Sequence, residues 1–287
     1  MKAPEFDYAR PASLDEALRL LADGGEDARV IAGGQSLVPA LNLRLAAPPV
    51  VVDIGGLDPL RGIEAVGDGL RIGALVRHAE LARSALVAAR CPLLTQAIAH
   101  VAHPAIRNRG TFGGSLAQAD PAAELPACAL ALDAIMIVAS RSGERRVAAQ
   151  DFFRGVYETA LAAGEILVAV EIPALGADRR FGFAEFSRRR GDFAIVGVAA
   201  AATKSGGRLA SPRIAFFGTG DRPQLARAAA AALDGAANDT NTRKAAREKL
   251  AADLDPVEDS TASRAMRLHL AGEALEQAID ALWREAA

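Results

Sequence analysis

Along the chain, segments whose apolar residues recur every three or four positions alternate with short apolar runs that end at glycine or proline. Ser13-Leu14-Asp15-Glu16 reads as a capping box, with Ser13 as N-cap and Glu16 reaching back. Leu14, Ala17, Leu18 and Leu21 then share one helical face, and Gly24-Gly25 ends the helix. Residues 28–32 (ARVIA) predict a short buried strand, 36–45 a helix and 49–54 (PVVVDI) a strand, so the first stretch is βαβ-like, preceded by a helix. Residues 63–76 predict a hairpin turning at Gly67-Asp68-Gly69. Helices are expected from about His78 to Arg83, over 93–103 and from Pro121 to Leu132, with a strand over 134–140 (AIMIVAS). Residues 165–173 (EILVAVEIP) read as an alternating strand that stops at Pro173.

Composition shifts at 174–180 (ALGADRR), which marks a linker. Beyond it, strands are expected near 181–190, 193–202 and 213–217, then helices at about 223–234, 241–252 and 262–286. The last helix carries Leu268, Leu275, Ile279, Leu282 and Trp283 close to helical spacing, as a helix packed on a sheet should.

With 287 residues, 51% of them hydrophobic, the chain can build one large domain or two ordinary ones. A net charge of −2 gives no reason to expect nucleic acid or an acidic membrane surface. The arginine clusters (Arg107 and Arg109, Arg145–Arg146, Arg179–Arg180, Arg188–Arg190) are short and interleaved with acids, and read as solvated surface. No apolar run approaches the ~20 residues of a membrane span. The N-terminal MKAPEFDYARP lacks the apolar region of a signal peptide, so a cytoplasmic protein is expected. Cys91 and Cys128 sit among alanine and leucine and read as small buried residues. Two cysteines fall short of the usual four thiolates of an iron–sulfur cluster, and His78, His100, His103 and His269 show no metal-ligand spacing, so no metal site is expected.

Two adjacent glycine pairs carry the chemistry. In VIAGGQSLVPAL (residues 30–41) an apolar run stops at Gly33-Gly34, followed by Gln35 and Ser36. In RNRGTFGGSLAQADPAAELP (residues 107–126) Gly113-Gly114 lies between Thr111 and Ser115. A strand–turn–helix with glycines and a hydroxyl at the helix start offers outward N–H groups and a positive dipole end to an anion. Neither segment has the lysine of a P-loop or the spacing of a Rossmann turn. Two loops gripping one diphosphate and two independent tight turns both satisfy the spacing. Asp120-Pro121 reads as N-cap and N1 of a helix, which leaves Glu124 one position too late for a capping box. Its carboxylate is then free to take ribose hydroxyls, or is a surface acid favoured by the helix dipole.

These motifs resemble the FAD-binding (middle) subunit of molybdenum hydroxylases, in the xanthine dehydrogenase superfamily and nearest the carbon monoxide dehydrogenase medium-subunit group. AGGQS (32–36) looks like the first FAD loop and IRNRGTFGGSLAQADPAAELP (106–126) like the second. GEILVAVEIP (164–173) and RRRGDFAIVGVAA (188–200) look like later landmarks, so the resemblance spans essentially the whole chain. It implies an α+β fold: a two-subdomain PCMH-type FAD-binding domain over 1–176 (subdomains about 1–55 and 56–176), then a smaller C-terminal α+β domain over 177–287 with an antiparallel sheet and helices. It implies FAD contacts at Ala32, Gly33, Gly34, Gln35, Ser36, Thr111, Phe112, Gly113, Gly114 and Ser115, with Glu124 on the adenosine side. Gln35 and Gln118 stand where many members have histidine, and Phe193 where many have tyrosine.

The resemblance further implies a dimer of heterotrimers. A large subunit with a molybdenum cofactor would oxidise the substrate, a small subunit with [2Fe–2S] clusters would relay electrons, and FAD on this chain would hand them to an external acceptor. The chain would then be an oxidoreductase subunit with no catalytic side chain of its own. A self-contained flavoenzyme acting on a small substrate is the alternative, and a non-catalytic nucleotide-binding scaffold a third reading. Gly191-Asp192 is a turn-prone pair that can swing Phe193 out of its strand. In the family the matching aromatic lies by the isoalloxazine ring, so Phe193 either shields the flavin or is a core phenylalanine.

Overall fold

The computed structural model describes residues 2–284. Its N-terminal unit is a three-stranded parallel sheet in which β1 (Asp7–Ala9) and β2 (Arg29–Ile31) flank β3 (Val50–Asp53). The crossovers are α1 (Leu14–Asp23) and α2 (Leu37–Asn42). Ser13 caps α1 by accepting the Glu16 N–H at 3.2 Å, but Glu16 reaches the N–H of Ala12, one residue earlier than a capping box requires. β1 had no sequence signal, because three residues are too short to show a period; its register against Val50–Val52 makes it a strand.

The second unit opens with the expected hairpin, β4 (Ile63–Val66) and β5 (Gly69–Gly73). Six short helices follow: α3 (His78–Arg83), α4 (Ala85–Arg90), α5 (Pro92–Ile98), α6 (Pro104–Arg107), α7 (Phe112–Gln118) and α8 (Glu124–Ala131). Then come β6 (Ile135–Ser140), β7 (Gly143–Ala148), α9 (Ala149–Phe152), the small hairpin of β8 (Phe153–Gly155) and β9 (Glu158–Thr159), and β10 (Ile166–Ile172). The five-stranded sheet runs β4-β5-β10-β6-β7 and is antiparallel throughout.

Three expectations change here. The helix over 93–103 ends at Ile98, and α4 precedes it. α8 begins at Glu124 with Ala123 as N-cap, not at Pro121, because the Asp120 carboxylate takes the Ala122 N–H at 2.9 Å and its carbonyl the Ala123 N–H at 3.0 Å, a local turn that competes with helix. β10 does not alternate: it lies between β5 and β6 and is buried on both faces except at Glu171.

In the C-terminal unit β11 (Arg179–Ser187), β12 (Ala194–Ser205), β13 (Arg208–Phe217) and β14 (Gln224–Leu225) form an antiparallel sheet in chain order. Helices α10 (Arg227–Leu233), α11 (Thr240–Asp253) and α12 (Arg264–Trp283) follow. Residues 285 and 286 of the expected last helix lie outside the described residues. The sheet carries a core on each face. Val196, Val198, Ala200 and Ala202 pack toward α12, while Ala199, Ala215 and Phe217 join the core of the second unit, where α8 lies on β12 and β13. Small residues let helices approach closely: a Cβ at Gly182 would stand 2.5 Å from the Ala278 carbonyl oxygen of α12. Cys91 and Cys128 are free and fully buried, as expected. Arg107 is half-buried rather than free surface, and its guanidinium donates to the Val101 and Ala102 carbonyls at 2.8 and 2.7 Å.

Arg267 of α12, 6% exposed, braces the C-terminal unit beside its contact with the second unit. It donates to the carbonyls of Ile195 and Gly218 and to Asp259 Oδ2, each at 2.6 Å, and the Gly218 N–H reaches the Pro121 carbonyl at 2.8 Å. Replacing Arg267 by Met removes all three bonds and strands the buried Ile195 carbonyl and the half-buried Gly218 carbonyl. Denaturant unfolding should show a loss of about 2–4 kcal/mol; a loss under ~0.5 kcal/mol would show that the bonds contribute nothing.

Candidate cofactor site

The two glycine pairs converge on one cavity of about 860 Å³, within the size range of cofactor pockets. Ala32, Gly33, Gly34, Gln35, Ser36, Thr111, Gly113, Gly114, Ser115, Glu124 and Phe193 all line it. Phe112 does not: it is 1% exposed and points into the core beneath α7.

In the first loop each glycine has its own reason. Gly34 stands at φ +73, the left-handed turn that takes the chain from β2 into α2. Gly33 is there because the second loop touches it: a Cβ would lie 2.2 Å from the Arg109 carbonyl oxygen and 2.9 Å from the Gly110 Cα. The loops are thus in backbone contact, which removes the reading of two independent turns. The Gln35 amide folds back to donate to the Gly33 carbonyl at 2.9 Å. The N–H groups of Gly33, Gly34, Gln35 and Ser36 make no hydrogen bond to the described residues, so four backbone donors remain for an anion.

The second loop departs from the expected strand–turn–helix. A helix, α6, precedes it, and Thr111 forms only an isolated bridge with Arg77 before capping α7. Its first-turn N–H groups are all spent. Phe112 donates to the Val76 carbonyl at 2.8 Å, Gly113 to Ala74 at 2.9 Å, Gly114 to Thr111 Oγ1 at 3.0 Å and Ser115 to the Thr111 carbonyl at 3.0 Å. Gly113 is needed for contact with β5's successor, since a Cβ would sit 2.6 Å from the Ala74 Cα. At Gly114 a Cβ would stand 2.7 Å from Thr111 Oγ1, the oxygen that caps α7, and would meet nothing else, so glycine there spares the cap and leaves the cavity wall clear.

Glu124, at the first position of α8, is partly buried in the cavity wall rather than an exposed surface acid. Burial, with Asp120 nearby, pushes its carboxyl up to about 7. Behind it Glu185 of β11 has a side chain only 2% exposed and an Oε2 without a hydrogen-bond partner; burial and then Glu124 raise it to about 8. His100 Nδ1 stands 3.8 Å from that Oε2, and burial followed by Arg190 lowers the imidazole, so at neutral pH the contact joins two neutral groups.

Phe193 is 74% exposed at the cavity wall, which excludes a core role. Gly191, at φ +87, lets its loop lie against His103 and the Ala102 carbonyl of the second unit. Sequence reasoning missed two parts of the wall. One is the 161–166 loop, which Arg145 braces through Glu165 (2.7 and 2.6 Å) and the Ala160 carbonyl (2.6 Å). The Arg145 hydrogen bonds hold the Glu165 carboxyl below its ordinary range. The other is His78, 3% exposed at the start of α3, which no spacing marked because its partners are 33 and 37 residues away. Among the described residues no three His, Cys, Asp or Glu side chains converge as a metal site.

Two measurements check this geometry. Gly33→Ala should destabilise the ligand-free chain by ~2 kcal/mol or more, because backbone cannot yield to the new Cβ. Gly114→Val should leave it folded and weaken FAD binding at least tenfold; wild-type stability in the first or wild-type affinity in the second would contradict the loop contact or the cavity. The raised carboxyls also set a pH trend. Glu124 and Glu185 hold protons in the folded chain where the unfolded chain, near 4.5, has lost them, so stability falls as pH rises from about 4.5 to 7 and on to 8. In urea unfolding of the ligand-free chain, Glu124→Gln should flatten the lower part of that fall by about 2 kcal/mol.

Comparison with known proteins agrees over both parts of the chain. Residues 4–175 match the family model described as FAD binding domain in molybdopterin dehydrogenase, and residues 181–282 the CO dehydrogenase flavoprotein C-terminal domain. The chain is 40% identical over 279 residues to the nicotine 6-hydroxylase medium subunit of Paenarthrobacter nicotinovorans, covering 97% of this chain and 98% of that one. It is 34% identical over 287 residues to the carbon monoxide dehydrogenase medium chain of Hydrogenophaga pseudoflava, with full coverage of both. Among solved structures it superposes on carbon monoxide dehydrogenase from Hydrogenophaga pseudoflava with a TM-score of 0.96 (37% identity, 99% of both chains). The corresponding figures for quinoline 2-oxidoreductase from Pseudomonas putida 86 are 0.93, 43% and 98%. The cavity between two glycine loops, the α+β architecture and these matches lead to one conclusion: the chain belongs to the FAD-binding flavoprotein family of the molybdopterin dehydrogenases, a family of oxidoreductase subunits.

Proposed function

We propose that this chain is the FAD-carrying subunit of a three-component molybdenum oxidoreductase. In this reading it divides at about residue 176 into an FAD-binding and a C-terminal domain. It assembles with a [2Fe–2S] small subunit and a molybdenum-cofactor large subunit as a dimer of heterotrimers in the cytoplasm. The observation that carries the reading is that Gly33 to Ser36, whose N–H groups have no partner among the described residues, line a cavity of dinucleotide size. When bound, FAD supplies two-electron redox chemistry and passes to an external acceptor the electrons it receives from the clusters.

The protein's own part is binding, orientation and exclusion of water. The Gly33–Ser36 amides would hold the diphosphate as donors without a lysine. Glu124 would accept ribose hydroxyls, and such bonds to its carboxylate would stabilise the ionised form. The Thr111 and Ser115 hydroxyls would donate from the second loop. Phe193, on a loop of the C-terminal unit, would cover one face of the flavin and control approach of the acceptor, through packing on the ring. A phenyl group offers no hydroxyl to the flavin or the acceptor.

Purification from the native host tests the assignment. The chain should carry a flavin spectrum, co-purify with an iron–sulfur and a molybdenum subunit, and show at most weak diaphorase activity alone. Turnover of an organic substrate by the isolated chain at on the order of 10 s⁻¹ would favour a self-contained flavoenzyme, and absence of flavin binding would favour a scaffold. Phe193→Ala should preserve folding and alter the flavin spectrum and the reoxidation rate in stopped flow. Unchanged spectra and rates would remove the shielding role.

A further inference from the structure

In the second glycine loop the N–H groups of Phe112, Gly113, Gly114 and Ser115 are all bonded within the protein, which leaves only the Thr111 N–H as a backbone donor. The side-chain donors on that loop are the hydroxyls of Thr111 and Ser115. Where the Ser115 proton points is decided by His78, which comes from the start of α3, outside both loops. His78 Nε2 lies 3.0 Å from the Thr111 carbonyl oxygen and 3.1 Å from Ser115 Oγ. A carbonyl only accepts, so Nε2 carries the ring proton. The Ser115 hydroxyl therefore cannot donate to His78 and can only accept from it. Nδ1 is left as an unprotonated, buried atom with no partner, the form in which an orphan nitrogen costs least.

We propose that His78 is a positioning residue of the cofactor site: its Nε2–H holds Ser115 Oγ as an acceptor, so that the Ser115 hydroxyl proton turns into the cavity and donates to the diphosphate of a bound dinucleotide. The inference rests on the FAD reading above and names the group that makes the second loop an anion contact. Several features keep this imidazole neutral and in one tautomer. Burial lowers its pKa to about 4, and the charge of Arg107 acts in the same direction. A Cβ at Gly110 would come within 3.0 Å of the ring, so the loop packs on His78 and fixes its plane. The His78 backbone N–H donates to the Gly110 carbonyl at 3.0 Å, which ties the start of α3 to the second loop.

The test uses the whole chain freed of flavin, with FAD, ADP and riboflavin as probes. Ser115→Ala and His78→Phe should each weaken FAD and ADP about tenfold and leave riboflavin, which has no diphosphate, unchanged. The double variant should be no weaker than either single one, and His78→Gln, whose amide N–H stands near the position of Nε2–H, should restore most of the affinity. Nitrogen-15 NMR of the wild type should show the Nε2–H tautomer at neutral pH, which the Ser115 orientation requires, while rescue by His78→Gln and the contrast between ADP and riboflavin are the readouts a purely structural histidine would not give. Additive losses in the double variant, an equal loss for riboflavin, or the Nδ1–H tautomer would each overturn the proposal. Should His78→Phe fail to fold, Ser115→Ala and the tautomer still decide it. A wild-type chain that binds neither FAD nor ADP would instead overturn the functional reading, whereas wild-type binding with an indifferent Ser115→Ala would overturn this inference alone.

Discussion

The site depends on a contact that contains no side chain. Gly33 meets the carbonyl of Arg109 so closely that a single Cβ would stand 2.2 Å from it. Backbone cannot move aside as a side chain can, so the distance between the two loops is set by the peptide units themselves. From this contact follow the position of the Gly33–Ser36 amides, the width of the cavity and the orientation of α7. The same economy recurs where Gly113 lies on Ala74 and where Gly182 lies under α12. Glycine serves close approach at all three places, whereas Gly34 and Gly191 supply left-handed backbone at the cavity.

Around that contact the donors are shared out unequally. The first loop keeps its amides unpaired, and the second has spent those of Phe112 to Ser115 on capping α7 and joining β5's end. Charge is restrained in a similar way. Glu124 and Glu185 are pushed toward neutrality by burial, His78 is held neutral, and Glu165 is matched by Arg145. A cavity built like this can accept an anion on backbone dipoles without a facing lysine, because burial weakens the charge of Glu124 and Glu185 in the empty cavity and Glu165 has Arg145 as its counter-ion.

The C-terminal unit is part of the same site. Its sheet is core on both faces, its Gly218 N–H binds the Pro121 carbonyl, and its Gly191 loop brings Phe193 to the cavity. Arg267 anchors the strand that follows Phe193 through Ile195, so order in the far helix reaches the cavity wall through a short chain of hydrogen bonds.

The sequence by itself determined the elements with strong local signals: α1 with its Ser13 cap, the Gly67-Asp68 hairpin, the β2–α2–β3 crossover, and both glycine loops with Thr111, Ser115 and Glu124. These are legible because capping, turn chemistry and period act over a few residues. Only the tertiary structure decided the rest. β1 exists through its register with β3, and β10 is buried on both faces because of its place in the sheet. α8 starts late because the Asp120 carboxylate wins a local competition. Phe112 turns to the core while Phe193 stays at the cavity, although both are aromatic residues beside turns. His78 meets Ser115 across 37 positions. No local rule carries such information, since each outcome depends on which distant backbone or side chain arrives to bury, bond or crowd the residue.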